Sequence, residues 1–184
     1  MRSLLRVLPL LTVSALVCNM AAARPEISAL QRALAGSWAG TLEYRDYSES
    51  AASSKRVKLP TWLDIEPVGA DLRFRYIYDD GPTKTVTETS IVRIDPATAR
   101  YTASNISGKV EDSYAIAGLD QLRQGRGSLI LTGTGTGNDA PVQVRTTLRI
   151  GRNILEITRE TAVAGQPFAF RHAYLLVRTA PPAS

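Results

Sequence analysis

The sequence contains a single histidine, His172. A zinc centre built from several imidazoles is therefore excluded, and a Ser-His-Asp relay has only one candidate base. A lone imidazole has three uses here. It can be a core side chain hydrogen-bonded to a tyrosine, it can ligate haem iron, or it can act as a general base with a pKa lowered by burial. The residues by themselves leave all three open. Side chains alternate along a strand, so counting in twos places Phe168, Phe170, His172, Tyr174 and Leu176 on one face. The same count gathers Leu72, Phe74, Tyr76 and Tyr78 upstream. A lumen lined by Leu72, Phe74, Tyr76, Phe170, His172 and Tyr174 is the expectation, holding a small, largely apolar molecule. Tyr44-Arg45-Asp46-Tyr47 is the densest polar-aromatic cluster. It reads either as a rim where a strand leaves the core or as a mouth in which Tyr44 helps orient a ligand's polar end.

Other constellations carry less. Gly133-Thr134-Gly135-Thr136-Gly137 resembles a phosphate loop only in its glycines. No Gly-Lys-Ser/Thr closes it and no helix pattern follows, so a flexible hairpin tip is expected. Asp79-Asp80 reads as a turn, while Glu111-Asp112 and the Asp64/Glu66 pair fall on strands and are expected on the wet side. None of these has a placeable partner for glycosidase chemistry. Asp79-Asp80-Gly81 lacks the alternate acids and closing glutamate of a calcium loop. Asn105-Ile106-Ser107 is a short sequon to which no weight attaches. No catalytic residue and no metal ligand set is expected.

Those side chains need elements to hold them. A short helix is predicted from Pro25-Glu26, with Ile27, Leu30 and Leu34 on one face and Gly36 as its stop. The period then changes to two. Strand runs are expected at 36–47, 57–65, 72–78, 84–94, 99–104, 109–117, 127–134, 142–150, 153–161 and 168–178, separated by turn residues such as Asp79-Asp80-Gly81-Pro82 and Gly165-Gln166-Pro167. The connections are too short for parallel crossovers. The expected fold is mostly β: a single antiparallel up-and-down barrel of about eight to ten strands, wide enough for one small ligand.

Arg2 and Arg6, the apolar run Val7 to Val17 and Ala21-Ala22-Ala23 follow the order of a cleavable export signal. Residues 1–23 are expected to be that signal, 24–179 the barrel domain and 180–184 a frayed tail. The protein is then expected in the periplasm or secreted. The run is short of the roughly 20 apolar residues of a spanning helix, so no stable membrane insertion is expected. Cys18 is the only cysteine and leaves with the signal; Val17 before it does not suit a lipid-attachment site. Losing Arg2 and Arg6 lowers the net charge from +5 by two. The remaining cations are scattered, and nucleic-acid binding, which needs a basic stripe, is not expected.

Gly36-Ser37-Trp38, opening the first strand after a short helix, resembles the Gly-x-Trp start of lipocalins and related calycin barrels. The resemblance implies a barrel that carries small apolar molecules. It also implies that an arginine of a late strand packs across Trp38 and closes the barrel bottom, with Arg171 and Arg178 as the candidates. A second resemblance rests on Gly36, Trp38, Gly40, Gly165, Gln166, Pro167 and His172. This set is similar to nitrobindin-type haem barrels and implies His172 as the proximal ligand of a haem. The expected function is thus an exported small-ligand-binding barrel. The alternatives are a filled structural or interaction protein of the envelope, a haem barrel using His172, and a cyclase- or isomerase-like enzyme with few catalytic side chains.

Overall fold

The computed structural model describes residues 28–46, 54–137 and 140–179. The expected export signal, the tail and Tyr47 lie outside the described residues.

A short helix leads into the first strand. Ser28 has extended backbone and accepts the Gln31 amide N–H, while the Gln31 side chain accepts the Ser28 N–H. This reciprocal cap starts the helix α1 at Ala29–Leu34; Pro25, Glu26 and Ile27, expected in its first turn, lie outside the described residues. The chain then runs through β1 (Gly36–Arg45), β2 (Arg56–Val68), β3 (Asp71–Asp79), β4 (Thr85–Asp95), β5 (Arg100–Asn105) and β6 (Val110–Ala117). A single 3-10 turn at Leu119–Gln121 precedes β7 (Gly127–Gly137), β8 (Ala140–Ile150), β9 (Ile154–Ala162) and β10 (Ala169–Arg178). Each strand pairs antiparallel with its neighbours in sequence, and β10 returns to β1. The result is a closed up-and-down barrel, which leaves no sheet edge unpaired.

The two ends of the barrel differ. At the α1 end, Leu34, Trp38, Leu63, Ile65, Leu72, Leu129, Leu155 and Leu176 are almost wholly buried in one apolar cluster. Burial at roughly 25 cal/mol per Å² makes this plug the main source of stability. Trp38 is 1% exposed and donates its indole N–H to the Leu34 carbonyl at 2.9 Å. The Arg178 guanidinium lies 4.0 Å from the Trp38 ring centre. It also donates to the Ala35 and Ala33 carbonyls, each at 2.6 Å, which fastens β10 to the end of α1. Arg178 is therefore the late-strand arginine across Trp38. Arg171 is not, because it sits toward the other end of β10. Gly40 makes this closure tight: a Cβ there would stand 2.0 Å from the Leu175 carbonyl oxygen of β10.

Two expectations are corrected by the sheet. The glycine-threonine run is not a hairpin tip, for β7 continues through it to Gly137 and pairs with β8 along its length. Along β10, the pairing with β9 skips Arg171: Phe170 opposes Glu160 and His172 opposes Arg159. One extra residue in a strand turns the side chains before it out of register with those after it.

Candidate functional site

At the end away from α1 the barrel interior is hollow. The cavity has a volume of about 560 Å³, and Phe74, Tyr76, Tyr101, Tyr114, His172 and Tyr174 are among its walls. β3 supplies Phe74, Tyr76 and Tyr78 from alternate positions, continuing the inward parity of Leu72. β10 supplies His172 and Tyr174, in step with Leu176.

Of the residues expected in the lumen, Phe74, Tyr76, His172 and Tyr174 do come together around this cavity. Leu72 faces inward but belongs to the plug, and it lines a separate apolar hollow of about 520 Å³ near α1 with Leu30, Val92, Ile94, Leu119 and Leu122. Phe170 does not face the lumen. The bulge at Arg171 turns it away, and its ring lies 4.4 Å from the guanidinium of Arg56, a residue whose strand neighbours Val57 and Leu59 point the other way. Phe168 behaves alike, stacked 4.3 Å from the Arg145 guanidinium. Tyr44 pairs with His172 across β1 and β10 but lines a smaller hollow of about 240 Å³ at the mouth, which shares Tyr78, Glu88 and Tyr174 with the main cavity.

The polar tips fall into three groups. Tyr174 and Tyr78 hydroxyls are 3.0 Å apart, and Tyr78 donates to the Glu88 carboxylate at 3.2 Å. Tyr114 donates to Asp112, Arg159 donates to the Tyr114 hydroxyl oxygen at 2.8 Å, and Arg159 reaches the other Asp112 oxygen at 3.4 Å. His172, Tyr76 and Tyr101 form the third group. Among the described residues none hydrogen-bonds these three side chains, yet their polar atoms are not fully enclosed, so they open on the cavity. His172 touches Tyr174 only ring edge to face, with centres 5.5 Å apart. The tyrosine-bonded core histidine is therefore not what the structure shows.

Burial governs the protonation of these groups. Desolvation, followed by the Arg159 and Arg171 cations, pushes the His172 pKa down to about 4, against a smaller opposing pull from Asp112. The imidazole is neutral at pH 7. Burial also raises the phenols of Tyr76, Tyr78, Tyr101, Tyr114 and Tyr174 above their usual range. They remain protonated and can donate.

Sequence reasoning put Tyr78 on the buried face of its strand without naming it in the lumen, and missed Glu88, Tyr101, Asp112, Tyr114 and Arg159 as wall residues. A signal existed for several. Asp112 and Tyr114 share the parity of buried Ile116, and Arg159 that of Leu155 and Ile157. Asp112 was expected on the wet side; it instead faces inward. Asp64 and Glu66 are outside as expected, paired with Arg75 and Arg73. Among the described residues no group of three or more metal-ligating side chains comes together, and no helix is long and apolar enough to cross a membrane.

No protein-family model and no curated protein sequence matches the chain. The crystal structure of Rv2717c from M. tuberculosis is similar in fold, with a TM-score of 0.55 and 19% identity over 83% of this chain and 98% of that one. At that identity the likeness is one of barrel architecture.

Proposed function

We propose that the protein is an exported, lipocalin-like carrier or sensor that holds one small apolar or aromatic molecule in its lumen. The observation behind this reading is the contrast between the two ends. A filled barrel would be plugged throughout and its inward tyrosines would satisfy one another. Here the plug stops at Leu131, Leu148 and Ile157, and above it lies about 560 Å³ of space walled by phenol rings, of which Tyr76 and Tyr101 have no hydrogen-bond partner among the described residues. A volume of a few hundred Å³ suits a small ligand, and aromatic rings share this wall with polar groups such as Glu88, Asp112, Arg159 and His172. The structural reading, a filled envelope barrel, has no use for that space.

Native mass spectrometry of the protein isolated from its own host tests the proposal. A co-purifying small molecule released on denaturation is expected. Protein that carries no ligand and binds no member of an apolar aromatic panel would refute it. Export is checked in the same preparation: the mature chain is expected to begin at Arg24.

His172 supports a second reading, a haem barrel. Its imidazole is neutral, reaches the cavity and has no hydrogen-bond partner among the described residues, which are the properties of an available axial ligand. Haem, when bound, would supply redox or gas-ligand chemistry. Titration with haemin is expected to give a saturable absorption band that His172→Ala abolishes; no band in the wild type would end this reading.

A further inference from the structure

Arg159 is out of place by composition. It continues the inward face of β9 after Leu155 and Ile157, where an aliphatic side chain would extend the plug. An inward arginine in an apolar barrel must be desolvated, and that is costly unless the charge is paired and used. Two places round the barrel, beyond β8, β7 is shaped to admit its partner Tyr114. Gly133 and Gly135 take the inward positions of β7 after Leu129 and Leu131. A Cβ on Gly133 would stand 2.6 Å from the Tyr114 ring, and one on Gly135 would stand 3.5 Å from an Arg159 terminal nitrogen. Glycine weakens a strand and marks places where something must approach closely. Here Gly133 makes room for the Tyr114 ring, whose hydroxyl Arg159 engages.

The pair leaves unused donors. A guanidinium carries five N–H groups, and among the described residues Arg159 donates only once to Tyr114 and once to Asp112. Three carboxylates line the same cavity, and each already accepts a side-chain hydrogen bond: Asp112 from Tyr114, Glu88 from Tyr78 and Glu111 from Asn105. The deep hydroxyls of Tyr76 and Tyr101 face the same space without a partner among the described residues, and they donate. Arg159 is the one arginine or lysine among the described wall residues, and its spare N–H groups and the Tyr76 and Tyr101 hydroxyls are donors still to be met.

Resting on the carrier reading above, we propose that the ligand is an organic acid: a flat apolar body whose carboxylate docks on Arg159, with Tyr114 and Asp112 holding the guanidinium in place. A bidentate arginine–carboxylate contact fixes orientation as well as adding affinity.

The test separates this proposal from the one it rests on. A fluorescent naphthylamine, which is neutral, reports occupation of the lumen of the mature protein. Naphthoic acid and naphthamide, alike in size and differing in charge, then compete for it at neutral pH. The acid is expected to displace the reporter at a concentration at least tenfold lower than the amide. Arg159→Gln should bring the two within about twofold while the reporter still binds, and Arg159→Lys should fall between. Should Arg159→Gln fail to fold by circular dichroism, the wild-type ratio and the lysine variant decide. Equal competition by acid and amide in the wild type, or an acid preference that survives Arg159→Gln, would overturn the proposal and leave the carrier reading standing. A reporter that does not bind at all would overturn both.

Discussion

Trp38 and His172 show how single side chains express the two ends of the molecule. Trp38 is enclosed by Leu34, Leu63 and Leu176 and capped by Arg178. Trp38→Ala should cost about 3–5 kcal/mol, the range for removing a large buried aromatic. Urea melts monitored by circular dichroism measure it, and a loss below about 1 kcal/mol would contradict the closed end described here. His172 gives a pH dependence whose sign is fixed. Its pKa is about 4 when folded against an ordinary value of 6.5. The unfolded chain therefore binds this proton more readily. The stabilisation from keeping the ring neutral is fully present above pH 6.5 and is lost as pH falls toward 4. The span corresponds to at most about 3 kcal/mol. His172→Gln should flatten the stability profile between pH 6.5 and 4 while leaving other acid-sensitive terms in place. Identical slopes in the two proteins would show that the ring is solvated in the fold.

At the scale of elements, strand β7 makes the most discriminating prediction. Alanine ordinarily suits a strand no worse than glycine. At Gly133 the sign should reverse, because the added Cβ meets the Tyr114 ring at 2.6 Å and the Ser113 carbonyl at 3.1 Å. Gly133→Ala is expected to destabilise by about 1–3 kcal/mol, as overpacking does, whereas Thr134→Ala on the outer face should change stability by less than about 0.5 kcal/mol. Thermal melts of both variants check this. The same strand shows what the sequence could and could not reveal. Alternation was strong enough to place all ten strands, because each carries one apolar and one polar face. It failed where polar or absent side chains point inward. Gly133 and Gly135 read as a loop since nothing in their composition says buried, although their parity with Leu129 and Leu131 does. Arg159 and Asp112 were overlooked for the same reason: charge was taken to mean solvent. Phe170 was misplaced by a different cause. A bulge at Arg171 shifts parity by one residue without any glycine or proline to announce it.

The barrel is packed around Trp38 at one end, with a smaller apolar hollow beside α1, and encloses the lumen at the other. Closure depends on pairings far apart in sequence, such as Trp38 with Arg178 and Tyr44 with His172, so the plug must form for the lumen to exist. Ligand binding in the lumen should then raise the stability of the entire barrel by RT ln(1 + [L]/Kd), about 2.7 kcal/mol at a hundredfold excess over Kd. The central claim is that the lumen accepts a small aromatic molecule. Its most direct test is equilibrium titration of the mature protein with a neutral naphthylamine probe, run beside Ser90→Trp, whose side chain would occupy cavity space at the Ser90 wall position. Saturable binding at one site per chain is predicted, with at least a tenfold loss of affinity in Ser90→Trp while its circular dichroism stays that of the wild type. Absence of saturable binding, or binding of equal strength in the filled variant, would contradict the account.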